Sequence, residues 1–151
     1  KENMANEELV AYDSKLSEKI PLPLVEDRAI ASFGGDAFTI EKTDITDYYV
    51  VPAFKDKKVD FMVKIDGSTM YPKYNSGDIV ACRILDDPKI LQWNKVHVVA
   101  TKDQGIIIKR IHKGVNGNLK MVSDIEMYPP FEVPEDQITG IALVVGVIRL
   151  E

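Results

Sequence analysis

Asp66-Gly67-Ser68-Thr69-Met70-Tyr71-Pro72 is the stretch on which the reading of this chain turns. It follows an alternating run, Phe61-Met62-Val63-Lys64-Ile65, so a strand leads into a glycine-opened loop that carries two adjacent hydroxyls. Much later, Lys109 stands inside an apolar run, Ile106-Ile107-Ile108-Lys109-Arg110-Ile111. A hydroxyl nucleophile needs a base. A lysine serves when burial lowers its pKa enough to leave the amine neutral. By strand alternation Ile107, Lys109 and Ile111 share one face, and Ile108, Arg110 and His112 share the other. Lys109 is therefore expected among isoleucines, and Arg110 in solvent or at an interface. The competing reading makes Thr69 a turn hydroxyl and Lys109 a strand lysine with its amine in water, because both residue types are common.

Composition narrows the classes. The chain has 151 residues, with 45% hydrophobic and 28% charged, which suits one globular domain with a sizeable core. Its formal net charge of −5 argues against this segment gripping nucleic acid by itself, since DNA binding rests on a basic surface. Cys82 is the lone cysteine, so no intramolecular disulfide and no zinc cluster is expected, and it reads as a small core residue. His97 and His112 lie in separate apolar runs without ligand spacing. No cofactor or metal is expected. There is no apolar run of membrane-span length and no signal-peptide pattern, so the expected location is cytoplasmic.

Outside the motif the chain reads mostly as strands. Residues 1–19 are polar and charged and read as a linker or frayed helix; the globular part is expected over 20–151. Ile20-Pro21-Leu22-Pro23-Leu24-Val25 is extended, because proline disfavours helix. Arg28-Ala29-Ile30-Ala31-Ser32-Phe33-Gly34-Gly35-Asp36 is a thin segment of small residues. It reads either as a glycine-rich turn or as a stretch able to enter a narrow cleft. Asp47 to Pro52, Ile79 to Ile84 and Leu119 to Ser123 carry strand composition. Lys95 to Thr101 and Gly105 to His112 form a hairpin through Lys102-Asp103-Gln104. Trp93, beside a strand, reads as core or interface packing. Ile141 to Leu150 is too uniformly apolar for a solvated edge and belongs at the centre of a sheet or in a subunit contact.

The motif, followed by Ser76-Gly77-Asp78-Ile79-Val80 and then Ile108-Lys109-Arg110-Ile111, resembles the C-terminal domain of LexA and the phage repressors. That family of self-cleaving Ser-Lys peptidases is related to the UmuD proteins and, more distantly, to signal peptidases. The resemblance implies a mostly β domain of strongly curved, partly barrel-like sheets with short helical turns. It implies Lys109 as base and a nucleophile directly before Met70. Here that residue is Thr69, where the family has serine; Ser68 precedes it and becomes the candidate if the loop slips by one residue. Threonine's extra methyl crowds attack and restricts χ1. Oxyanion donors would be backbone N–H groups of the loop around Gly67, Ser68, Thr69 and Met70. The self-cleaved bond, typically Ala-Gly in the family, corresponds to Ala31–Ser32, with Ser32 as a second departure. The resemblance further implies a homodimer and operator DNA bound through an upstream helix-turn-helix domain not visible in this chain. It also implies cleavage stimulated by RecA filaments in the SOS response.

Three functions follow. The first is the dimerising, regulatory C-terminal domain of a phage-type transcriptional repressor with weak or lost self-cleavage. The second is an active autopeptidase that cuts Ala31–Ser32 on DNA damage. The third is a plain β-barrel binding protein unrelated to repressors.

Overall fold

The computed structural model describes residues 20–26, 40, 42–87 and 90–151. The expected linker at 1–19 and the Ala31–Ser32 bond lie outside the described residues. Among the described residues nine strands form one mixed sheet: β1 Leu22–Val25, β2 Ile45–Tyr49, β3 Phe61–Lys64, β4 Ile79–Ile84, β5 Lys95–Thr101, β6 Gly105–Lys113, β7 Leu119–Val122, β8 Phe131–Val133 and β9 Ile138–Ile148. Their order is β2-β1-β3-β4-β9-β5-β6-β7-β8. Helical structure among the described residues is confined to short 3-10 turns. The mostly β fold with short helical turns is as expected. The sheet remains open, with β2 and β8 as its two edges, so the chain is not a closed barrel.

β9 lies between β4 and β5, which explains its run of apolar residues: a strand with neighbours on both sides and core on both faces has no position for a charge. It is longer than expected, beginning at Ile138. Pro23 stands in β1, a strand with two neighbours. It is tolerated because the parallel pairing to β3 begins only at Leu24, leaving Pro23 paired to β2 alone.

Curvature divides the core. The main cluster gathers Val25, Phe61, Val63, Ile65, Met70, Tyr74, Val80, Val96 and Val98. A second, under β5 to β9, gathers Leu85, Leu91, Val99, Ile111, Met121, Ile141 and Leu143. Cys82 is fully buried in the first, and burial pushes its thiol pKa up, as befits a small core residue.

Candidate active site

The motif loop is a closed excursion between β3 and β4. Its base is pinned by the Ile65 N–H donating to the Asp78 carbonyl at 2.7 Å and the Gly77 N–H to the Ile65 carbonyl at 2.8 Å. Gly67 and Gly77 take φ of +103° and +96°, where a side chain would be strained. Met70 and Tyr74 then plunge into the main core, and the Tyr74 N–H closes one helical turn onto the Met70 carbonyl at 2.9 Å. Thr69, directly before Met70, is held half-buried.

A second clamp comes from the far end of the chain. Asp78 is buried, and Arg149 donates to its carboxylate through Nε (3.0 Å) and NH2 (2.7 Å) and to the Lys73 carbonyl at 2.8 Å. The Asn75 N–H adds a bond at 2.8 Å. Arg149 is the main reason the Asp78 carboxyl is held below its ordinary pKa; burial opposes it. This clamp ties the loop to the residue that follows β9.

Lys109 arrives on β6. That strand pairs with β7 only from Arg110 to Lys113, so the preceding residues form a free edge. A cleft of about 250 Å³ opens along it, lined by Lys64, Ile65, Asp66, Thr69, Met70, Ile106, Ile107, Ile108, Lys109 and Phe131. The strand and the loop thus bring Thr69 and Lys109 to the lining of one cavity, together with isoleucines, Met70 and Phe131 and the charged Lys64 and Asp66. Lys109 is half-buried, and desolvation lowers its pKa from 10.5, against a smaller upward pull from Asp124. Ser68 is exposed and absent from this lining. Gly67 is also outside it, its N–H lying 3.4 Å from Ser76 Oγ. Met70 lines the cleft from the core side. The N–H groups of Thr69 and Met70 make no hydrogen bond among the described residues.

Arg110 differs from expectation. It does lie on the face opposite Lys109, but that face covers the main core. There its Nε and NH2 fork onto Asp124 at 3.0 Å each, and NH1 donates to the Asn94 carbonyl at 2.7 Å. A turn after β7 brings Asp124 back to it; the same turn places the Ile125 N–H 3.4 Å from the Thr69 carbonyl. Asp124, Arg149 and Phe131 were not legible as site residues, because each reaches the site from a distant part of the chain. Trp93 is half-exposed at the rim of a separate apolar cleft with Leu85, Leu91, Leu119 and Ile141.

The family model for Peptidase S24-like proteins matches residues 23–145, from β1 to near the end of β9. The chain belongs to the Peptidase S24-like family. No curated protein is similar enough to match it. As a family member it carries the LexA-type architecture that the motif implied, and the plain, unrelated β-barrel is set aside. A hydroxyl and a desolvated lysine facing one cleft are the parts that nucleophilic cleavage of an amide requires: one to attack, one to take the proton.

Proposed function

We propose that this is the regulatory, dimerising C-terminal domain of a phage-type repressor, and that its Thr69–Lys109 site cuts its own Ala31–Ser32 bond slowly. The observation that carries the reading is the shared cleft of Thr69 and Lys109, with the lysine pKa lowered by burial. Thr69 is the nucleophile and Lys109 the general base. Lys109 takes the hydroxyl proton as oxygen attacks the Ala31 carbonyl and returns it to the leaving amine of Ser32; water then releases the acyl group. The N–H groups of Thr69 and Met70 face the developing oxyanion.

An intramolecular substrate fits the surroundings. The cleft shares Lys64, Ile65 and Asp66 with a neighbouring one of about 450 Å³ that Glu26 also lines. The Glu26 N–H lies 3.4 Å from the Asp44 carbonyl. The chain between Glu26 and Asp44 is therefore anchored at both ends beside the site, and from Glu26 to Ala31 it spans at most about 17 Å. Exposed Val147 near the end of β9 and exposed Leu150 just beyond it supply apolar surface for pairing with a second copy.

The test is intact mass after long incubation at mildly alkaline pH, with and without a RecA filament on single-stranded DNA. Slow appearance of a break between Ala31 and Ser32, absent in Lys109→Ala, supports the reading. An intact chain in wild type and in Thr69→Ser alike overturns the peptidase part; light scattering that finds only monomers overturns the dimer.

A further inference from the structure

We propose that His97 is a positioning residue for Lys109: its Nε2 accepts a hydrogen bond from the lysine amine and so turns the amine's lone pair toward Thr69. The inference rests on the Thr69–Lys109 reading.

The sheet puts the two side chains together. His97 on β5 is the direct partner of Lys109 on β6, and direct antiparallel partners project from the same face with Cβ atoms about 5 Å apart. On its other side His97 faces Leu143 of β9. The histidine is fully buried. Its Nδ1 lies 2.8 Å from the Lys95 carbonyl oxygen. A carbonyl only accepts, so Nδ1 must carry the hydrogen. Burial pushes the ring pKa down, more than that carbonyl raises it, so the ring stays neutral. Nε2 is then a bare lone pair, and it has no hydrogen-bond partner among the described residues. An orphaned buried acceptor is uncommon and calls for a donor. The charged groups sharing its face on the paired strands are Lys95 on β5 and Lys109 and Lys113 on β6, while the β9 partner is apolar; Asp124 acts on Lys109 from the opposite side of β6.

The chemistry gives this acceptor a use. A neutral amine has two N–H bonds and one lone pair, and only the lone pair can take the hydroxyl proton. The cleft is lined by four isoleucines, Met70 and Phe131, with Lys64, Asp66 and Thr69 as its other polar side chains. The lysine stem is longer than the imidazole, and the proposed contact needs its last bonds to rotate until Nζ meets Nε2, which has no partner among the described residues. One N–H given to Nε2 restricts the amine's rotation and leaves the lone pair on the side away from the histidine, free for the hydroxyl proton.

The test is NMR titration of lysine side chains in the whole 151-residue chain, in wild type, His97→Val and His97→Gln. A neutral acceptor favours the ammonium form, so His97→Val is expected to lower the Lys109 pKa further, by about one unit. His97→Gln keeps an acceptor and is expected to restore most of it. At a pH where Lys109 is neutral in all three, self-cleavage is expected to fall about tenfold in His97→Val, a loss of about 1.4 kcal/mol in transition-state stabilisation, and to recover in His97→Gln. A Lys109 that titrates like an ordinary lysine in wild type sinks the base reading itself. A depressed Lys109 that is unmoved by His97→Val sinks only the role of His97, leaving it a core spacer. If His97→Val does not fold, the ring decides: the Nε2 nitrogen resonance must move in Lys109→Met, and an unchanged resonance overturns the proposal.

Discussion

Replacing Thr69 by serine is expected to speed self-cleavage, and the size of the effect follows from the cleft. Thr69 is half-buried against Ile65, Met70 and the isoleucines of β6. Turning its Oγ toward Lys109 carries the γ-methyl into that wall or away from a staggered χ1. A displacement of that kind costs about 0.5–1.5 kcal/mol, which corresponds to a rate gain of roughly 2- to 12-fold once the methyl is gone. The assay is the rate of appearance of the C-terminal fragment by intact mass, followed across alkaline pH. Below the Lys109 pKa the rate is expected to rise about tenfold per pH unit, because only the neutral amine is a base. It is expected to level off below 10.5, since burial lowers that pKa. Both proteins should level at the same pH, because the substitution touches the nucleophile and not the base. If Thr69→Ser is no faster, the methyl is not what slows the reaction. If its rate is indifferent to pH, or survives in a Lys109→Ala background, the base has been misassigned.

Three further outcomes are expected. Ser68→Ala should leave the cleavage rate within about twofold of wild type, because Ser68 is exposed and outside the cleft; a loss comparable to that of Lys109→Ala would mean the loop presents the other hydroxyl. Gly146→Ala should destabilise, because a Cβ there would stand 2.6 Å from Cε1 of the half-buried Phe54 ring; a cost of about 1–3 kcal/mol lowers Tm by roughly 3–10 °C in a chain of this size, with partial relief in a Phe54→Leu background, as differential scanning fluorimetry can show. Asp78, whose folded pKa lies below its ordinary 3.8, contributes stability that is whole above that value and is lost as pH falls through the folded pKa; Tm of wild type should therefore exceed that of Asp78→Asn at neutral pH and converge with it in acid.

The hairpin of β5 and β6 was legible because its signals are local: alternation, a polar turn and a glycine at the entry to the second strand. The central place of β9 was one of the two places the sequence left open, because an edge strand with so little charge would invite pairing with other chains. The choice between Ser68 and Thr69 was not, since a loop lacks the two-residue period that tells one face of a strand from the other. Arg110 was misjudged for a different reason. Alternation put it correctly on the far face from Lys109, but that face is solvated only in a sheet covered on one side. Here the curved sheet wraps its main core there, and the carboxylate that neutralises Arg110 comes from the turn after β7. The Asp78–Arg149 clamp joins residues separated by 71 positions, beyond any local pattern.

The two halves of the site are held by different means, and this bears on how such a domain can lose or regain speed. Lys109 is placed by the ladder of β5 and β6, so its position depends on the sheet as a whole. Thr69 is placed by a loop whose anchors are Met70 and Tyr74 in the core and Asp78 on Arg149. A change at position 69 alters neither set of anchors. On the proposed reading, one methyl at position 69 is expected to change the rate while the fold and the placement of Lys109 stay as they are. A change at Lys109, by contrast, alters a half-buried side chain on a paired strand, directly across from buried His97. On the proposed reading, attenuation of such a site is thus expected to fall first on the nucleophile position, here Thr69, rather than on Lys109.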